Sequence, residues 1–258
     1  MVFIDTHTHL YTEEFNNDRK EIILSAIGQG LSQFYLPAID SSTTQAMLDT
    51  KNLFPDQIFL MAGLHPCSVK ENFKEELKHV ESFMEQHDFK GIGETGLDFY
   101  WDTTYVKEQK ESLYRHIEWA IQLKKPLILH TRNSTRETID IVKPYISQGL
   151  TGIFHCFSGT AEEAAEVVDM GFFLGIGGVI TFKNSGLHKA ISGIDLSHIV
   201  LETDSPYLAP VPYRGKRNES GYIPLIAQKL AEVKEVELEE VARITTSNAL
   251  NIYKSSLS

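Results

Sequence analysis

A chain of 258 residues, 42% hydrophobic and 23% charged, is long enough to bury the large core of a globular protein. Its formal net charge of −11 counts against a nonspecific nucleic-acid binder, which is usually basic, and no apolar stretch approaches the roughly 18 residues of a membrane span. Two distant cysteines, Cys67 and Cys156, make no disulfide framework and point to a reducing cytoplasm. The first residues lack the basic segment of a signal peptide, and no linker or repeat divides the chain, so residues 1–258 read as one domain.

In chain order, short apolar runs alternate with longer segments of helical periodicity. VFI at 2–4 opens the series and is followed by a helical pattern at 18–29. QFYLPAI at 33–39 and IFLMAGL at 58–64 are the second and third strand-like runs, with a helix over 71–86. FKGIGE at 89–94 precedes a helix over 105–123, and PLILH at 126–130 precedes one over 134–146, where Ser134 and Glu137 read as a capping box. TGIFH at 151–155 leads to a helix over 161–170; GFFLGIG at 171–177 leads only to a short Gly-containing segment, 184–192. HIVLETD at 198–204 is the eighth run, and helical patterns at 222–233 and 238–253 close the chain. Eight strands, each followed by a helix, predict an α/β fold, a (β/α)8 TIM barrel with extra C-terminal helices.

Of ten histidines, His79, His87, His116, His188 and His198 fall on helices or at a strand start, where a solvated surface is the usual home. The other five, His7, His9, His65, His130 and His155, fall at or just past the C-terminal ends of predicted strands, as do Glu94 and Asp204. Barrels of this kind build their active sites on that face. In FIDTHTHL, His7 and His9 share one side by the period of two, while Thr6 and Thr8 point away. Paired imidazoles suit a divalent metal. Glu94 sits among Gly91, Gly93 and Gly96, which predict a tight bend. Its two oxygens are able to bridge two metals. By the same period Glu202 and Asp204 share a side, and buried carboxylates need a partner or a metal. His130 and His155 follow runs too apolar for a surface strand, and with Glu94 they make a second potential metal site.

The chain resembles the TatD family of metal-dependent hydrolases, nucleases of the wider amidohydrolase-like barrel group. The resemblance spans the chain and rests on FIDTHTHL, GLHP at 63–66, GIGETGLDFY at 91–100, LILHTR at 127–132, FHCFSG at 154–159, LETDSPYL at 201–208 and YRGKRNES at 213–220. It implies two divalent cations, one among His7, His9, Glu94 and Asp204 and the other among Glu94, His130 and His155. It further implies Mg²⁺-dependent cutting of DNA, including 3′ to 5′ exonuclease action on single-stranded or frayed ends. A nitrogen-rich ligand set leaves Mg, Mn and Zn all open. Two metals activate water and stabilise both exchanging oxygens of an in-line displacement. Glu94 and Asp204 are then the catalytic pair, with Asp204 orienting or deprotonating the water.

His65 reads as a phosphate contact or leaving-group acid, or else as packing before Pro66. Arg132 and the cluster Arg214, Lys216 and Arg217 read as phosphate binders, or the cluster as a solvated loop. Tyr100, Trp101 and Tyr207 are placed to stack on bases, or simply to pack. Three positions depart from the family: Asn218–Glu219–Ser220–Gly221 stands where N-E-P is common, and Ser134 and Ser205 where alanine is usual. The alternatives are aminoacyl-tRNA ester or amide hydrolysis by the same barrel group, and a non-catalytic scaffold, which leaves six intact ligands unexplained. GIGGVI at 175–180 has Ile180 where a dinucleotide fingerprint needs its third glycine. No obligate protein partner is implied.

Overall fold

The computed structural model describes residues 1–254; residues 255–258, the end of the expected domain 1–258, lie outside the described residues. The apolar runs form β1 (Phe3–Asp5), β2 (Leu31–Leu36), β3 (Ile58–Ala62), β4 (Gly91–Asp98), β5 (Leu127–Arg132), β6 (Gly152–Phe154), β7 (Phe173–Ile176) and β8 (Ile199–Leu201). They pair in sequence order, every pair parallel. Helices return the chain between them: α1 (Arg19–Gly28), α2 (Thr44–Leu53), α3 (Phe73–Gln86), α4 (Val106–Leu123), α5 (Thr135–Val142), α6 (Ala161–Asp169) and α7 (Leu187–Ala190). α8 (Ile223–Lys234) follows β8 as the eighth helix of the repeat, so α9 (Leu238–Tyr253) alone is extra, where the sequence pattern predicts a pair of extra C-terminal helices.

The seam between β8 and β1 is stitched just past the strand ends. Thr6 donates from both its amide and its hydroxyl to Leu201 O, and the Asp204 amide donates to His7 O at 2.9 Å. Asp5 reinforces the seam by accepting from the Thr203 hydroxyl at 2.6 Å and the Thr203 amide at 3.0 Å. Burial pushes the Asp5 carboxyl up to about 7, against these hydrogen bonds.

Strand alternation sorts the core into two layers. Ile4, Tyr35, Met61, Ile128, Ile153 and Val200 fill the barrel, while the larger cluster lies between strands and helices. α9 closes the bottom. Thr246 donates to Val2 O and Asn248 to Leu196 O and Ile199 O, and the Tyr253 ring stacks on Tyr35 at 3.8 Å.

The structure departs from expectation at particular elements. β4 runs four residues beyond Glu94, because Gly96, Leu97 and Asp98 continue in register with His130, Thr131 and Arg132 of β5. β8 stops at Leu201, three residues before Asp204, which adopts a left-handed φ of 54°. α5 gives way to a 3-10 turn at Lys143, since Pro144 lacks the N–H to continue it. α2 is a helix the periodicity did not announce; it buries only Met47 and Thr50. The Ser134 capping box does not form, because the Ser134 hydroxyl donates to Leu97 O and accepts from the Arg132 amide. Capping boxes form instead at Asp40 and Thr43, ahead of a 3-10 turn, and at Thr160 and Glu163, ahead of α6.

Candidate metal centre

Seven residues from six strand ends meet at the C-terminal mouth of the barrel. Glu94, 1% exposed, lies at their centre because a register shift between Ile92 and Thr95 turns it inward from β4. Gly93 lies inside that shift with a φ of +152°, where a Cβ would meet Ile128 O at 2.7 Å, and Gly96, just past it, has a φ of +139°, with a Cβ placed 2.1 Å from His130 O. The two Glu94 oxygens face different groups. Oε1 lies 2.8 Å from His155 Nε2, 2.9 Å from His130 Nδ1 and 3.3 Å from His65 Nε2. Oε2 lies 3.1 Å from His7 Nε2 and 3.5 Å from His9 Nε2. Asp204 Oδ1 faces the second group, 3.4 Å from His9 Nε2 and 3.8 Å from His7 Nε2. Ligand atoms within 4.8 Å of one another form three sets: His7, His9 and Glu94; His7, His155 and Asp204; and His65, Glu94 and His130.

Neighbouring groups orient each ring. Tyr11 Oη donates to Pro37 O, so it accepts from His9 Nδ1 at 2.9 Å and leaves His9 Nε2 facing the carboxylates. Asp98 Oδ2 lies 2.9 Å from His130 Nε2, which turns Nδ1 toward Glu94. Glu202 Oε1 accepts from the Cys156 amide and lies 3.5 Å from His155 Nδ1. Gly175 admits that carboxylate, since a Cβ there would meet Glu202 Oε2 at 2.2 Å. Glu202 and Asp204 therefore do not act from one strand face; each approaches the histidines from its own side. His65 differs from the other rings. The Cys67 amide donates to its Nδ1 at 3.0 Å, so the neutral ring carries its proton on Nε2 and presents a donor. Burial lowers its pKa further, though Glu94 opposes this.

The electrostatics suit cations. Burial raises the Glu94 pKa, but His155, His65 and His7 hold it well below the ordinary carboxylate range. Burial likewise opposes charge on His9, yet Asp204 and Glu94 raise it to about 9. Four imidazoles and two carboxylates, converging in a largely buried cluster with Glu94 between them, fit divalent metals.

A cleft of about 800 Å³ opens above Glu94 and Asp204. His65, Arg132, Arg214 and Lys216 line it, but Arg217 does not, because its guanidinium is paired with Asp18 at 2.6 Å. Nothing in the apolar pattern marks Asp98, although it stands four residues after Glu94 on the same strand, β4. His116 corrects a second expectation. It is 0% exposed, donates to Ser112 O and accepts from the Leu64 amide at 3.1 Å.

The barrel and this cluster suit a metal-dependent hydrolase. A family model described as TatD-related DNase matches residues 4–254, and the chain belongs to that family. An uncharacterised metal-dependent hydrolase of Bacillus subtilis, YabD, is 34% identical, with 98% of this chain and 99% of the relative aligned. A second uncharacterised metal-dependent hydrolase, YcfH of Escherichia coli, is 31% identical over 98% of this chain and 96% of the relative. Among solved structures, the TatD homologue YjjV of Escherichia coli superposes with a TM-score of 0.92 at 24% identity, covering 98% of both chains.

Proposed function

We propose that residues 1–258 act as one hydrolase domain that cuts phosphodiester bonds in DNA, by 3′ to 5′ exonuclease action on single-stranded or frayed ends. What carries the reading is the way Glu94 divides its two oxygens between His7 and His9 on one side and His130 and His155 on the other. On this reading His7, His9, Glu94 and Asp204 hold one divalent cation, and Glu94, His130 and His155 hold the other. Such cations, whether Mg, Mn or Zn, lower the pKa of water toward neutrality and offset charge on the attacking and leaving oxygens.

The chain's own residues do the rest. Asp204, its side chain 16% exposed at the cleft floor, orients the attacking water and takes its proton. His65 donates from Nε2 to a phosphate oxygen or the leaving group. Arg132 and Arg214, on the cleft wall, neutralise the flanking phosphates. The buried floor excludes bulk water and strengthens each of these interactions. Two free cysteines agree with work in a reducing cytoplasm.

Purified protein is expected to cut single-stranded DNA only with added divalent metal, and Glu94→Gln to reduce cutting to background with the fold intact by circular dichroism. Normal cutting by that variant sinks the two-metal proposal. Faster turnover of aminoacyl-tRNA than of DNA would transfer the same site to ester hydrolysis.

A further inference from the structure

Two arginine–aromatic pairs flank the cleft. On the side of β4 and β5, the Arg132 guanidinium carbon lies 4.3 Å from the Tyr100 ring centroid and 5.6 Å from that of Trp101. Trp101 is 68% exposed and Tyr100 53% exposed, so neither ring is spent on core packing. On the side of β7 and β8, Arg214 lies 4.4 Å from the Phe182 centroid. β4 and β8 stand half a circuit apart in the eight-strand order, so the pairs lie across the mouth from each other. Trp101, Arg132, Phe182 and Arg214 line the same cleft as Glu94 and Asp204. Neither arginine is ion-paired with a carboxylate among the described residues, unlike Arg217, which Asp18 holds.

We infer that these pairs are nucleobase-stacking subsites holding unpaired nucleotides on either side of the scissile phosphate. The inference rests on the phosphodiesterase reading above. A ring face backed by a guanidinium offers a base both stacking and cation–π attraction, whatever the base. Stacking leaves the guanidinium edge free for the phosphate attached to that base. Bases in a duplex already have their faces covered by neighbours. Engaging both platforms at once therefore requires an unpaired strand, so the pairs select single-stranded substrate without reading its sequence.

Two measurements test this. In the Glu94→Gln protein, which does not cut, a thymidine 12-mer should quench Trp101 emission saturably. Trp119, 4% exposed, serves as the unresponsive reference. A blunt duplex of the same length should bind about tenfold more weakly or worse. In protein with active Glu94, Trp101→Ala and Phe182→Ala should each lower the ratio of kcat/KM for the 12-mer to that for bis(p-nitrophenyl) phosphate by about tenfold, through KM. Trp101→Phe should restore most of the ratio. Equal quenching by duplex, or an unchanged ratio in both alanine variants, overturns the subsites while leaving the phosphodiesterase reading intact. Wild-type protein that hydrolyses neither compound removes that reading, and the subsites with it.

Discussion

His116 and His9 are both buried, 0% and 3% exposed, and their surroundings shift their pKa values in opposite directions. At His9 two carboxylates outweigh burial and raise the pKa to about 9; at His116 burial dominates and lowers it to about 4. The difference lies in the partner. A backbone amide, Leu64 N–H, needs a lone pair on His116 Nε2, so only the neutral ring fits. The unfolded chain takes up this proton near pH 6.5 and the folded chain only near 4, so stability is full above 6.5 and declines as pH falls toward 4. By pH 5 the loss amounts to about 2 kcal/mol. Urea midpoints of wild type and His116→Gln, compared at pH 7 and pH 5, isolate this group from the other histidines. The stability advantage of wild type over the variant should shrink by about that amount, and a pH-independent difference would refute the assignment. Leu64 immediately precedes His65, so the same bond holds the strap that carries the His65 donor. None of this was visible in the sequence, where His116 is one more histidine on an amphipathic helix.

At the scale of elements, β4 contributes more than its residue types announce. The apolar run predicts a strand ending at Glu94, and the glycines predict a bend there. The bend is a register shift, after which the strand resumes and delivers Asp98 to His130. Periodicity registers side-chain polarity, and GETGLD carries too few apolar residues to betray a continuing strand. β8 departs from its sequence pattern in the opposite direction. An apolar run followed by acids looks like one strand, yet it ends at Leu201 and a left-handed Asp204 redirects the chain. Gly96 is the element's weak point. Gly96→Ala would force a Cβ to 2.1 Å from His130 O at a φ of +139°, whereas Gly149, at φ +86°, has nothing within 4 Å. Gly96→Ala should cost about 3 kcal/mol or more, and Gly149→Ala only about 1 kcal/mol of backbone strain. Chemical denaturation compares them directly, and DNA cutting should survive only in Gly149→Ala. Equal costs would mean that β4 relaxes freely around Glu94.

At the scale of the whole molecule, convergence was the legible part. Parallel strands in sequence order put every C-terminal strand end on one rim, so histidines 148 residues apart, such as His7 and His155, meet without any local signal joining them. Contacts that depend on where loops return were not legible. Arg217 belongs to Asp18, 199 residues away, and that separates it from Arg214 and Lys216 at the cleft. The same convergence links metal binding to global stability. A barrel whose proposed ligands come from β1, β4, β5, β6 and β8 would bind a cation only when closed, so on the proposed reading the cation stabilises the folded chain by mass action. At 100 times its Kd one bound cation contributes about 2.7 kcal/mol, which raises Tm by about 5–10 °C for a chain of this size. Calorimetry of chelator-treated protein with added Mn²⁺ or Zn²⁺ should show that rise. Glu94→Gln should lose most of it, because Glu94 faces both histidine groups, whereas Arg214→Ala at the cleft wall should keep it. A Tm that does not respond to metal, or responds equally in Glu94→Gln, would make this cluster a buried ion-pair network and remove the cations from the proposed chemistry.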